Sequence, residues 1–210
     1  MTKIRHVFFD IGGVLATNGW DREQRKVAIA QFGLDETDFQ ARHEEMVGPL
    51  EQGQIGFDEY LDIAVFHQPR AFTRDEFRHF IFDQSKPYTE TIEIARAVAE
   101  GCTYWVMTMN NESEELNRHR ICTFGLDEFF DAFLSSCWLG LRKPARRFYD
   151  RALGISEARP AESVFIDDRM QNLAPAQQMG MHTIHYQSAQ QLAQDLRSLG
   201  VQFNLKGDSA

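Results

Sequence analysis

The sequence predicts an α/β protein in which a parallel sheet carries helices on both faces and one helical subdomain is inserted near the N-terminus. Three observations lead there. Short apolar segments of strand length recur at 4–10, 103–108, 132–135, 163–167 and 182–185. From Thr89 onward they alternate with helical stretches, the order that builds parallel sheets. Residues 18–86 break the alternation and read as helices alone. With right-handed crossovers the alternating part becomes a Rossmann-like three-layer α/β/α core over 1–17 and 87–210, and 18–86 becomes a helical cap.

The elements follow in order. The run Ile4-Arg5-His6-Val7-Phe8-Phe9 is a buried first strand that stops at Asp10 and the turn Ile11-Gly12-Gly13. Residues 21–32 have helical periodicity and end near Gly33. A second helix spans 35–50 and should stop around Gly48-Pro49, a third covers 57–66, and a fourth covers 73–82. Thr73 and Glu76 have capping-box spacing. Pro87 returns the chain to the core. The second strand should end at Thr108, with a helix starting near Glu112, and a later helix runs over 146–153. The tail Lys206-Gly207-Asp208-Ser209-Ala210 reads as frayed. Neither an internal repeat nor a low-complexity tract is visible.

Length and composition narrow the function. The chain has 210 residues, enough for one sizeable domain with an insertion. Its formal net charge of −9 argues against a nucleic-acid partner, and the basic pairs Arg142-Lys143 and Arg146-Arg147 are too small to form a patch. The cysteines, Cys102, Cys122 and Cys137, have no metal-ligand spacing and read as reduced structural thiols. The start lacks a signal-peptide layout and no stretch reaches membrane-spanning length, so the expected location is cytoplasmic, with no membrane partner.

Polar residues close the core strands: Asp10, Thr108 and the pair Asp167-Asp168. Lys143 precedes Pro144 in the loop before the helix at 146. Because the carboxyl ends of parallel strands share one edge, these groups converge although they are far apart in the chain. Two or three carboxylates together favour a hard divalent cation such as Mg²⁺. A Thr hydroxyl beside a helix N-terminus, with the backbone N–H beyond it, suits an anion. A lysine adds charge for phosphate oxygens, and one carboxylate is left to attack phosphorus and form an aspartyl-phosphate.

This ordered set resembles the haloacid dehalogenase-like hydrolase superfamily. The segments that carry it are Phe8-Phe9-Asp10-Ile11-Gly12-Gly13-Val14, Val106-Met107-Thr108, Gly140-Leu141-Arg142-Lys143-Pro144, and Val164-Phe165-Ile166-Asp167-Asp168 with Asn172. The likeness spans the chain, with the insertion where that family places its first type of cap. The branch it looks most similar to contains phosphatases of α-glucose 1-phosphate. The resemblance implies a Mg²⁺-dependent phosphatase for small phosphorylated sugars. Asp10 would be nucleophile and metal ligand, and Gly12 would lend its carbonyl to the metal. Thr108 and the Met109 N–H would hold phosphate, and Lys143 would bridge phosphate and Asp10. Asp168, with Asp167 beside it, would complete the metal shell, and Asn172 would support the loop.

Two positions depart from that pattern. Most phosphatases of the family carry a second Asp where this chain has Gly12; it protonates the leaving alkoxide and then activates water. General acid–base help is worth ~10²–10⁴-fold, so its absence favours an easily expelled group such as an anomeric hydroxyl. Met109 stands where many relatives have Asn, and Asn110 or Asn111 could substitute or cap the next helix, with Asn111 reading as the cap. In the cap, Trp20 reads as a packing residue and His43 as a surface helix residue. Competing readings are a metal-independent 2-haloacid dehalogenase, which uses the same nucleophile, a sugar-phosphate-binding module with weak turnover, and a phosphotransfer enzyme.

Overall fold

A computed structural model describes residues 3–205. Among these, five strands form one all-parallel sheet: β1 (His6–Phe9), β2 (Trp105–Asn110), β3 (Ala132–Ser135), β4 (Ser163–Asp167) and β5 (His182–His185), in the order β3-β2-β1-β4-β5. The order reverses beside β1, which lies at the centre with β2 on one side and β4 on the other. Sheets of this type bind ligands at that reversal, beyond the carboxyl ends. The central strands β1, β2 and β4 are mostly apolar and buried because both faces are covered, whereas the edge strand β5 is largely polar. Val7, Phe9, Val106, Val164 and Ile166 point into one core layer, whereas Phe8, Met107, Met109 and Phe165 point into the other.

The helices that cover the sheet are α5 (Thr89–Glu100), α6 (Glu114–Thr123), the single turn α7 (Ser136–Leu139), α8 (Arg146–Ile155), α9 (Met170–Gln178) and α10 (Ala189–Ser198). Between β1 and α5 the chain forms α1 (Arg22–Phe32), α2 (Glu36–Glu51), α3 (Phe57–Ala64) and α4 (Arg74–Asp83). These four share their own apolar cluster, built around Phe39, Phe57, Tyr60, Phe77 and Ile81. The Asp21 carboxylate accepts from Arg22 N at the start of α1, and Gly33 ends that helix in the left-handed region, φ 60°. The capping box at Thr73 is formed: Glu76 N donates to Thr73 Oγ1 (3.2 Å) and Thr73 N donates to Glu76 Oε2 (2.7 Å).

Several boundaries shift by a residue or two, β1 starting at His6 rather than Ile4 and α3 ending at Ala64 rather than Phe66, and two of the shifts have a visible cause. The α2 helix runs through Gly48-Pro49 to Glu51 instead of stopping there. Proline costs a helix its N–H bond, but here that loss falls in the last turn, and Gln52 N and Gln54 N still bond to the carbonyls of Gly48 and Pro49. The β2 strand does not end at Thr108. It runs two residues further, because Met109 and Asn110 pair with Leu134 and Ser135 of β3. The tail at 206–210 lies outside the described residues. Among the described residues, no helix is long and apolar enough to cross a membrane.

Candidate active site

Asp10 follows β1 directly. Its N–H donates to Ile166 O of β4 (2.9 Å), which fixes it at the central strand's end, and its Oδ1 accepts from Ile11 N (2.8 Å). Gly13 is the tightest point of the turn that follows. It adopts φ 78°, and a Cβ there would run into the Asp168 carboxylate, so only glycine serves. Gly12 is different: its φ is not left-handed, and a Cβ would stand 3.2 Å from Asn18 Oδ1 and 3.5 Å from Arg120 Nη1.

Lys143 links the acids. Its Nζ lies 3.0 Å from Asp10 Oδ2 and donates to Asp167 Oδ2 at 2.6 Å, and all three residues are buried. A buried ammonium between two carboxylates keeps its proton: burial opposes the charge, but the pull of Asp10 and Asp167 raises its pKa overall. Asp167 is fully enclosed. Its Oδ1 accepts from Arg169 N (2.8 Å), and Asn172 Nδ2 donates to both oxygens at 3.0 Å. Asn172 is itself anchored by its carbonyl, which accepts from Tyr149 Oη (2.7 Å).

Carboxylate oxygens of Asp10, Asp167 and Asp168 lie within 4.8 Å of one another. Such proximity is costly. Burial, helped by the charges of Asp167 and Asp168 and opposed by Lys143, raises the Asp10 pKa; burial and Asp167 also raise that of Asp168. Asp168 Oδ1 is buried without a hydrogen-bond partner. An orphaned carboxylate oxygen within a cluster of hard oxygen donors fits a divalent cation such as Mg²⁺.

The remaining expectations divide. Thr108 is fully buried, sits opposite Phe9 rather than Asp10, and stays within the sheet, two residues short of the edge. Met109 points into the core layer with Phe8 and Phe165. Neither lines the cleft; Asn111, Glu112 and Ser113 do. The reason is the longer β2, which moves the site-forming loop two residues along. Asn111 is not a helix cap, since Ser113 holds that position of α6. Its side chain instead clamps Lys143: Asn111 Nδ2 donates to Lys143 O and Lys143 N donates to Asn111 Oδ1, both at 2.9 Å. Asn110 ends β2 inside a buried network, accepting from Ser135 Oγ (2.8 Å) and donating to Asn117 Oδ1 (2.9 Å).

Above these groups lies a cleft of about 410 Å³ between the core and α1–α3. Asp10, Gly12 and Lys143 form its floor, and Trp20, Arg25, His43 and Glu44 belong to its helical wall. His43 is buried rather than exposed, and it contacts Tyr60 Oη through Nδ1 at 2.9 Å. Burial lowers its pKa to about 3, so the ring is neutral. Trp20 packs edge-on against Phe39 and Phe77 and donates Nε1–H to Tyr60 Oη (2.8 Å). Glu112 and Arg120, unremarked in the sequence, form a buried ion pair of 3.1 Å beside Gly12. Their spacing along the chain gives no signal, since Glu112 lies in the loop after β2 and Arg120 in α6.

The family model for haloacid dehalogenase-like hydrolases matches residues 4–180. Among curated relatives, mouse bifunctional epoxide hydrolase 2 is 27% identical over 95% of this chain and 40% of that protein, so this chain spans well under half of that relative. The sesquiterpene phosphatase astK of Aspergillus oryzae is 25% identical over 94% of this chain and 97% of its own length. A D-ribitol-5-phosphate phosphatase of Bacteroides thetaiotaomicron is 22% identical over 92% and 97%. Among solved structures, a HAD family enzyme of the same organism, in complex with magnesium and inorganic phosphate, superposes with a TM-score of 0.71 (19% identity, 88% of this chain, 94% of that one). An L-2-haloacid dehalogenase superposes at 0.60 (19% identity, 86% and 83%). At these identities the superpositions establish the shared fold.

Proposed function

Because the chain belongs to the haloacid dehalogenase-like hydrolases, we propose that it is a Mg²⁺-dependent phosphatase of small phosphorylated sugars, working through an aspartyl-phosphate on Asp10. The observation that carries this reading is Lys143 Nζ held between Asp10 Oδ2 (3.0 Å) and Asp167 Oδ2 (2.6 Å), next to the orphaned Oδ1 of Asp168. A dehalogenase has no use for that third acid. The matched relatives named as phosphatases favour the same choice.

Asp10 attacks phosphorus, and the leaving oxygen departs with the bonding electron pair. Lys143 supports the phosphoryl oxygens and is kept charged by Asp167, whose oxygens are already occupied by Lys143, Asn172 and Arg169 N. Asp10 and Asp168, with the Gly12 carbonyl, would hold Mg²⁺. When bound, the cation offsets the repulsion between Asp10 and the substrate's phosphoryl group. Asn111 fixes the Lys143 backbone through both of its polar groups. The segment 18–86 acts as the cap, since its helices wall the cleft with Trp20, Arg25, His43 and Glu44. This charged wall suits polyols and sugars better than long apolar chains.

The test is phosphate release from a panel of sugar and polyol phosphates with Mg²⁺ or EDTA. Activity should require the metal and fall by at least ~10³-fold in Asp10→Asn. Turnover that survives both, or chloride release from 2-chloropropionate without metal, would sink the reading.

A further inference from the structure

The turn at Asp10 lacks an acid at Gly12, yet the space beside Gly12 is filled. Arg120 Nη1 stands 3.5 Å from where a Gly12 Cβ would lie and 3.1 Å from Glu112 Oε2. Arg120 is 1% exposed and rigidly held, donating Nε–H to Ser85 Oγ (3.0 Å) and Nη2–H to Thr17 O (3.2 Å). Glu112 lines the same cleft as Asp10, and its Oε1 accepts from Ser113 N (2.9 Å). We infer that Glu112 is the general acid and base of the reaction, delivered from the loop after β2 and positioned by Arg120. The inference rests on the phosphatase reading above.

Other cleft groups are less suited. Glu51 is tied to Arg142 (2.7 Å) and Asp21 to Arg169 (2.7 Å). His43 is neutral, held by Tyr60, with a pKa near 3. Glu112 is faced by Arg120 from α6, Glu51 from α2, Cys137 from α7 and the Ser113 N–H of its own loop. Burial outweighs the pull of Arg120 and, with the charge of Glu51, pushes Glu112 up to about 7, where a group exchanges protons readily in both directions.

The proton balance closes. As Asp10 displaces the leaving oxygen, the P–O bond breaks toward that oxygen and Glu112 gives it a proton, so an alcohol departs. Water then attacks the phosphorus of the aspartyl-phosphate. Glu112 takes a proton from that water, the P–O bond to Asp10 breaks toward the carboxylate, and hydrogen phosphate leaves. Glu112 ends protonated, as it began. With an acid present, poor leaving groups come within reach, and the preference for anomeric phosphates suggested by Gly12 falls away.

The test compares wild type with Glu112→Gln on glycerol 3-phosphate, whose alkoxide leaves poorly, and on p-nitrophenyl phosphate, whose phenolate leaves easily. Glu112→Gln should lower kcat/KM on glycerol 3-phosphate by ~10²–10⁴-fold and on p-nitrophenyl phosphate by far less. It should also let phosphoenzyme accumulate on p-nitrophenyl phosphate, read by mass spectrometry. In wild type, kcat/KM for the alkyl ester should fall as pH rises through about 7, because the acid form is lost. That limb should vanish in Glu112→Gln and persist in Glu112→Asp, which keeps a carboxylate for Arg120 and serves if the glutamine variant folds poorly. Equal losses on both esters, or an unchanged limb in Glu112→Gln, would overturn the inference and leave the phosphatase reading standing. A wild type that forms no phosphoenzyme would fail the reading itself.

Discussion

In the proposed reaction, much depends on where the Lys143 ammonium is held. Its side chain spans Asp10 and Asp167, and its backbone is fixed on both polar groups by Asn111. A buried lysine on a loop would otherwise sample several rotamers at the cost of the contact with Asp10. Asn111→Ala removes both backbone bonds and touches neither carboxylate. Its kcat should drop by about 10–10²-fold, the scale of a displaced catalytic group, with KM changed far less. Steady-state kinetics with a thermal melt checks this; a Tm loss with unchanged kcat would assign Asn111 a structural role only. Gly12 makes the complementary case. Its backbone would accept a side chain, so its smallness matters for the room it leaves to Arg120.

At the scale of elements, the ends of strands decide what reaches the site. Strands β3, β4 and β5 were legible to the residue, β3 and β4 as short, mostly apolar runs bounded by polar or turn residues and β5 by its place between two helical stretches. The Asp167-Asp168 end followed from β4 and Asp10 from the first apolar run, and Lys143 from its place before Pro144 in the loop ahead of α8. The end of β2 did not, because Thr108 is a polar residue inside a strand whose other neighbours are apolar. Pairing with β3 carries the strand on to Asn110, and that information lies in residues more than twenty positions away. The Glu112–Arg120 pair was illegible for a related reason: only the packing of α6 against the two crossings at Thr17 and Ser85 brings it beside Gly12. Removing one member of a buried pair strands the other. Arg120→Met should therefore cost most where Glu112 is charged, about 3–5 kcal/mol in urea unfolding at pH ~9. Without Arg120, burial raises the Glu112 pKa above about 7, so the loss relative to wild type should shrink as pH falls toward 7 and the folded variant takes up the proton. A variant as stable as wild type above about pH 8 would show that the pair is not closed in solution.

For the whole molecule, the question is how the helices α1–α4 are kept over the strand ends. The two crossings are zipped together: Thr17 N donates to Lys86 O (2.9 Å), Lys86 N to Thr17 Oγ1 (3.0 Å) and Thr17 Oγ1 to Gln84 O (2.6 Å). Across the cleft the helices meet the core through Arg142–Glu51 and Arg169–Asp21, each 2.7 Å, and through Phe57 N donating to Glu115 Oε1 (2.9 Å). The crossings are joined by a backbone bond and by the Thr17 hydroxyl at one edge, whereas two of the contacts opposite are partly exposed ion pairs worth about 0.2–1 kcal/mol each. In the proposed reaction, an arrangement tight at one edge and weaker at the other should open on that hinge, which would admit substrate and release product. Arg142→Ala combined with Arg169→Ala should leave Tm within a few degrees of wild type. It should speed hydrogen exchange along 48–57 and raise KM several-fold, since the closed form is less populated. Added salt should reproduce part of the KM change in wild type by screening the same pairs, and little of it in the double variant. Exchange rates along 48–57 that match wild type in the double variant would mean that the apolar contacts, and not these charges, hold the helices down.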